Sequence, residues 1–206
     1  MYPLGVFIED VSGILYKYNS WDSSKTPNSI VVISKMHRFR ISLIEDVKLR
    51  LGGKNDYYGT ALANYLPLIP NINNAWKDFN GYENTQKLIE WNISDGTNNT
   101  SYSAPYCAAF TFPDGQTKGY MYSAGELKLM YDNKTEIDLC LAACGGSPIH
   151  VGSSDSVADA IKTSTLASIT SGIYGESWRM TWGNGAWTYN KGIDVAFYIR
   201  PVGKYE

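Results

Sequence analysis

The stretch from Ser177 to Val202, SWRMTWGNGAWTYNKGIDVAFYIRPV, constrains the fold more than any other part of the chain, because its residue types alternate with the two-residue period of β-strands. Trp178, Met180 and Trp182 share one face, and Arg179 and Thr181 share the other. Gly183-Asn184-Gly185 supplies a turn able to take positive φ, and Ala186 to Tyr189 resume extended chain, which predicts a hairpin. Val195, Phe197 and Ile199 then alternate with Ala196, Tyr198 and Arg200 until Pro201, which has no N–H for a ladder, closes the strand. Such a sheet buries one face and leaves the other chemically mixed. The candidate contact residues on the mixed face are Arg179, Thr181, Ala186, Thr188, Asn190, Asp194, Ala196 and Tyr198. Aromatic and arginine side chains give large contact area with few rotors, which suits recognition. Any half-exposed antiparallel strand shows the same alternation, so the pattern alone does not separate a binding face from ordinary solvent.

The rest of the chain is mixed in period. Gly5 to Tyr18 alternates around Ser12-Gly13 and predicts a hairpin, and Ile30–Ser34 and Arg38–Ile44 predict two further strands, so residues 1–50 form a β-rich start. Glu45 to Leu51 suits a strand or a short helix, ended by Gly52-Gly53. Residues 54–74 predict an irregular loop with at most a short helix at Tyr58–Tyr65. Ala75 to Trp91 predicts a surface helix anchored by Trp76, Phe79, Leu88 and Ile89, with Gly81 as a dividing point. Asp95–Ser101 is a loop, and Ala104–Phe110 is a buried helix or strand that carries Cys107 inside. Ser123 followed by Glu126 is a capping-box pattern opening a helix over Ser123–Leu141, with Asp132-Asn133-Lys134 as a possible interruption and Gly145-Gly146-Ser147-Pro148 as the stop. His150 to Thr163 is a loop or short helix. These elements describe an α+β chain, and 44% hydrophobic content over 206 residues suits a single domain spanning 1–206.

Candidate chemistry is sparse. A net charge of −2 with no Lys/Arg cluster argues against nucleic acid, whose binding rests on phosphate neutralisation. No transmembrane run occurs, so no membrane insertion is expected, and the N-terminus shows no basic and apolar signal-peptide pattern. Cys107, Cys140 and Cys144 form no even framework, and without a nearby histidine they read as buried free thiols. His37 and His150 sit in no catalytic motif. The adjacent pairs Glu9-Asp10 and Glu45-Asp46 point opposite ways on a strand and are expected to be solvated edges rather than glycosidase carboxylates. The Asn-x-Ser/Thr matches at Asn92, Asn98, Asn99 and Asn133 arise readily in an Asn-rich chain. The expectation is a protein without cofactor or catalytic residues.

Several separate motifs carry a resemblance. W-x-M-x-W-x-N-G from Trp178 to Gly185, the closing Y-I-R-P-V from Tyr198 to Val202, GYMYSAGEL from Gly119 to Leu127 and G-Y-E-N-T from Gly81 to Thr85 resemble the Fibrobacter major paralogous domain family, from about Lys25 to Val202. Where that family usually carries Y-W-S-S-T, this chain has TLASI at 165–169. The resemblance implies a C-type lectin-like fold, with two helices packed on twisted antiparallel β-sheets, an N-terminal β-hairpin region and the Ser123 helix as the second helix. Some proteins of that fold, including phage tropism determinants and variable proteins of diversity-generating retroelements, contact ligands through the terminal strands, here 165–202. This adds Ile169, Ile173, Tyr174 and Glu176 to the candidate contacts. The implied function is non-enzymatic receptor binding or adhesion on a phage tail or bacterial surface, with a protein or glycan partner and room for a homo-oligomer. The Glu-Pro-Asn and Trp-Asn-Asp calcium ligands of many C-type lectins are lacking, Trp182-Gly183-Asn184 being the nearest string, and Asp155, Asp159 and Asp194 are not gathered by spacing, so no metal is expected. The alternatives are an enzyme of the formylglycine-generating type, which shares the fold and needs a functional cysteine or metal, and a purely structural fibre or adhesin module.

Overall fold

A computed structural model describes residues 3–52, 62–94, 102–151, 160–170, 174–189 and 195–206. The chain is α+β, with two largely antiparallel sheets and helices packed against them. The first sheet is ordered β2-β1-β3-β4-β11-β6, built from β1 (Gly5–Asp10), β2 (Leu15–Tyr16), β3 (Pro27–Ile33), β4 (Arg38–Ile41), β6 (Gly119–Met121) and β11 (Pro201–Lys204). The expected N-terminal hairpin is present: Ile8 pairs with Tyr16, and Gly13 takes φ +84° at the tip, where a side chain would be strained. β3 and β4 follow as the two further strands. Because β4 pairs with β11, opposite ends of the described chain share one sheet.

The second sheet is ordered β5-β10-β7-β8-β9, from β5 (Val47–Leu49), β7 (Ile161–Thr170), β8 (Tyr174–Met180), β9 (Trp187–Thr188) and β10 (Phe197–Ile199). The predicted terminal hairpin is β8–β9, in register Met180 to Trp187, and Gly185 takes φ +71° in its turn. β10 lies parallel to β7 rather than beside this hairpin. Residues 45–51, compatible with strand or helix in sequence, contain the strand β5.

The Ala75–Trp91 segment is divided, as Gly81 suggested: α1 (Ile72–Ala75) ends early and α2 (Gly81–Ser94) begins at the glycine. α3 (Ser103–Ala109) is the buried helix that carries Cys107. The Ser123 capping box is complete, with Ser123 accepting from the Glu126 N–H and the Glu126 carboxyl accepting from the Ser123 N–H. The helix it opens is two helices, α4 (Ala124–Asp132) and α5 (Lys134–Cys144). Asn133 breaks them apart with ψ 18° while its amide donates to the Leu129 carbonyl at 2.8 Å, a local competitor for the helical ladder. Gly145 closes α5 in the left-handed region.

α4 and α5 cover the first sheet. Val6, Ile8, Val32 and Ile41 meet Leu127, Met130, Ile137 and Leu141, and Met180 and Trp182 of the second sheet enter the same core. A second core gathers Leu88 and Trp91 of α2 with Cys107, Met121 and Ile199. Trp178, Met180 and Trp182 are buried, as their shared face implied. The acidic pairs correct the expectation of solvated edges. Glu9 and Asp10 are both buried: Arg40 holds Glu9 through two 2.7 Å contacts, and Asp10 accepts hydrogen bonds from Ser12, Ile14 and Tyr16 across the hairpin tip. Asp46 is buried while Glu45 is exposed. Among the potential acceptor asparagines, Asn92 is 1% exposed, which leaves no access for a glycan. No helix among the described residues is long and apolar enough to cross a membrane. The loop at 95–101 and residues 58–61 and 155–159 of the two expected short helices fall outside the described residues, and where 161–163 are described they are strand, on β7, not loop or helix.

Candidate functional site

The motifs that carry the resemblance build the frame of the molecule. Asp78, just before α2, accepts from the Asn80 backbone and side chain through Oδ1, and from Asn84 Nδ2 (3.1 Å) and Thr165 Oγ1 (2.6 Å) through Oδ2. Its carbonyl takes the Ser123 hydroxyl at 2.7 Å and the Gly125 N–H at 2.9 Å. Thr85 Oγ1 donates to the Gly81 carbonyl and accepts from the Met121 N–H. A Cβ at Gly81 would collide with the Glu126 carboxylate oxygen and lie 2.9 Å from the Met121 carbonyl, so only glycine fits the start of α2 there. The G-Y-E-N-T and S-x-G-E-L strings therefore tie α2, β6, α4 and β7 through buried polar groups that satisfy one another.

The closing Y-I-R-P-V motif is structural in the same sense. Arg200 is 1% exposed; Nε donates to Asp46 Oδ1 at 2.6 Å, while Nη1 and Nη2 reach the Ser147 and Pro148 carbonyls at 2.8 and 2.7 Å. Asp46 also accepts the His150 N–H. The loop after α5 is thereby clamped to β10 and β11. It walls an apolar pocket of about 300 Å³, lined by Leu141, Gly146, Pro148, Ile149 and Val151, with Trp182 beside it.

The predicted contact residues separate into groups. Thr181, Ala186 and Thr188 lie together on the β8–β9 hairpin: Ala186 is exposed, and Thr181 and Thr188 are half-buried. Arg179 and Glu176 are corrections. Arg179 is 2% exposed, with its guanidinium 4.9 Å from the centre of the Phe197 ring and its backbone paired to Lys162, itself buried over the same ring. Burial pulls the Arg179 pKa below its ordinary value, while neighbouring Glu176 acts in the opposite sense. Glu176 is buried and accepts a hydrogen bond from Ser168 Oγ. The physical reason for Arg179 is position in the sheet: β8 lies between β7 and β9, and Gly175 to Met180 are buried on both parities, so two-residue alternation does not mark solvent there; Glu176, a contact by the resemblance alone, shares the parity of the buried Trp178 and Met180.

Ala196 and Tyr198 are half-buried across the sheet from the hairpin, separated from β8 by β7. Tyr198 is not an open contact surface, since the His150 ring stacks on it at 3.6 Å and the Lys48 ammonium lies 5.4 Å from its ring centre. Ile169 is half-buried near the end of β7, paired with Gly175. Tyr174 begins β8; Ile173, Asn190 and Asp194 lie outside the described residues.

The hairpin also gathers residues that the alternation did not assign to a surface. Gly183 and Asn184 are exposed in the turn, where Asn184 Oδ1 accepts the Ala186 N–H at 3.0 Å. Trp187 and Tyr189 are half-buried: Trp187 meets Trp76 edge to face at 6.2 Å, and Tyr189 meets Trp178 at 4.6 Å. The sequence signal for this cluster was the aromatic content flanking the glycine turn. Parity assigned it to the core, whereas an edge strand leaves its aromatics partly open. Beneath the turn the packing is tight. Tyr131 of α4 meets Trp182 edge to face at 5.7 Å, and a Cβ at Gly185 would lie 2.6 Å from the Tyr131 ring.

Burial pushes the Cys140 thiol up to about 12 and the Cys107 thiol higher still, which disfavours the reactive thiolate at both. The three cysteines are free. His37 stacks on Phe79 at 3.5 Å, and burial lowers its pKa. Among the described residues, no group of three or more His, Cys, Asp or Glu side chains is placed to hold a metal ion. No protein-family model, curated protein or solved structure matches the chain.

Proposed function

We propose that the chain is a non-enzymatic binding domain of C-type lectin-like type, displayed on a phage tail or bacterial surface, that recognises a protein or glycan through the β8–β9 hairpin. The observation that carries this reading is an exposed turn, Gly183-Asn184-Ala186 with half-open Thr181, Trp187 and Thr188, seated on buried Trp182 and Met180 with half-buried Tyr131 packed against Trp182. A rigid base lets contact side chains change without disturbing the backbone, and rigidity lowers the entropy lost on binding. The α+β architecture, with helices packed on two largely antiparallel sheets, is compatible with the lectin-like reading. The raised thiol pKa values weigh against the formylglycine-generating alternative, which relies on an available cysteine.

Within this reading, diversification among the described residues centres on the hairpin. Thr181, Ala186 and Thr188 are open to replacement, whereas Glu176 and Arg179 are built into the core. The test is binding of fluorescently labelled protein to a panel of bacterial cells. Ala186→Arg and Thr188→Lys are expected to remove binding on every strain that the parent stains, with unchanged thermal melts. Undiminished staining by both variants, together with loss on Lys35→Glu in the β3–β4 turn of the other sheet, overturns the assignment.

A further inference from the structure

The hydrogen bonds around Ser123 do not balance if Glu126 is ionised. The Ser123 hydroxyl oxygen lies 2.7 Å from the Asp78 carbonyl oxygen and 2.9 Å from Glu126 Oε2. With an ionised carboxyl both neighbours are acceptors only, and a serine hydroxyl carries a single hydrogen. Oxygen pairs at these separations in a buried site each need a hydrogen between them. The Asp78 carbonyl has none to give, so the Ser123 hydrogen belongs to that contact. The hydrogen in the second contact must come from Glu126. The other contacts accommodate the neutral acid: the Tyr120 hydroxyl donates to Oε1 at 2.8 Å, and the Ser123 N–H donates to Oε2 at 2.7 Å.

The surroundings favour the same state. Glu126 is 4% exposed, and its burial pushes the carboxyl pKa up to about 7, outweighing the Ser123 and Tyr120 contacts that pull it down, with the Asp78 charge adding to burial. Among the described residues no ion pair reaches it. The ionisable groups facing it come from several elements. Asp78 precedes α2 and Tyr120 lies on β6, while Glu83 of α2 is 4.0 Å from the Lys204 ammonium of β11. His37 and Arg38 line the small cleft above Glu126 together with Glu83 and Lys204. Lys204 is engaged over the Tyr82 ring at 3.7 Å, and Arg38 Nε donates to the Tyr205 carbonyl at 2.9 Å.

We infer that folded protein holds Glu126 as the neutral acid up to neutral pH, and that this proton latches the start of α4 to the Asp78 loop and to β6. Ionisation removes the hydrogen shared with Ser123, sets acceptor against acceptor and brings a second carboxylate next to Asp78. The carboxyl cannot retreat toward α2, because Gly81 already sits against it with no room for a Cβ. The seam between α2 and α4 therefore loosens above the pH at which the proton leaves.

Two measurements on the full chain test the latch. In carbon-13-labelled protein, the Glu126 carboxyl carbon is expected to titrate with a midpoint near pH 7, and above it the Ser123 and Glu126 amides lose exchange protection relative to those of α5. A midpoint at the ordinary glutamate value of about 4.5, or no difference in protection, overturns the inference. In thermal melts, the parent is expected to lose stability relative to Glu126→Gln as pH rises from about 4.5 to about 7, because the glutamine has no proton to lose. Parallel pH profiles for the two proteins also overturn it. If Glu126→Gln does not fold, the carbon titration of the parent alone decides.

Discussion

Removing the Arg200 guanidinium tests whether the closing motif is structural. Arg200→Met keeps the length and apolar stem of the side chain but leaves Asp46, whose side chain is 4% exposed, with the His150 N–H as its remaining hydrogen bond. The Ser147 and Pro148 carbonyls lose their donors at 2.8 and 2.7 Å at the same time. Breaking one side of a buried ion pair costs about 3–5 kcal/mol, and hydrogen bonds to a charged group contribute about 1.5–3 kcal/mol each without adding fully. A loss on the order of 4 kcal/mol is expected, which at a urea m-value of about 2 kcal/mol/M moves the unfolding midpoint down by roughly 2 M. The double variant Asp46→Asn with Arg200→Met removes both charges, so it is expected to lose less than the sum of the singles, by at least about 1 kcal/mol. Urea unfolding followed by tryptophan fluorescence reads all four proteins of the cycle. A single-variant loss below about 1 kcal/mol, or strict additivity, refutes the assignment of Arg200 as the clamp of the loop after α5.

Trp182→Ala is expected to cost about 3–5 kcal/mol in the same assay, because the ring is fully buried in the main core against Tyr131. Arg179→Ala is expected to destabilise by about 1–3 kcal/mol, as a core position does, and a neutral melt for this variant would place the side chain back on a solvent face. Gly81→Ala should cost at least about 1–3 kcal/mol through overpacking against Glu126 and the Met121 carbonyl, readable as a lower melting temperature at every pH. For Glu126 the folded pKa of about 7 stands above the ordinary 4.5, so its contribution is fully present below pH 4.5 and is lost as pH rises toward 7, at up to about 1.4 kcal/mol per pH unit; calorimetry at stepped pH values reads the slope against Glu126→Gln.

Local chemistry alone determined much of the architecture. Ser123 with Glu126, the glycine at 145, the tip at Ser12-Gly13 and the turn at Gly183–Gly185 act through their own backbone preferences, and each appears where the residue types require it. The burial of Trp178, Met180 and Trp182 was equally readable, because large apolar residues on one parity of a strand have one way to leave water. Tertiary structure decided which strands are central and which lie at an edge. Alternation states that two faces differ, not that the second face meets solvent, so Arg179 became a core residue once β8 was placed between β7 and β9, while Glu176 lies on the parity of Trp178 that was already expected to be buried. The same holds for Glu9, Asp46 and Arg200, whereas Asp10 is held locally by Ser12, Ile14 and Tyr16. Whether a charged side chain stays in water depends on a partner supplied from far along the chain, 31 residues away for Glu9 and Arg40 and 154 for Asp46 and Arg200, and no local pattern encodes that meeting. The neutral state of Glu126 belongs to this second class, since the capping box is written in four consecutive residues while the Asp78 carbonyl that claims the Ser123 hydrogen arrives from 45 residues upstream.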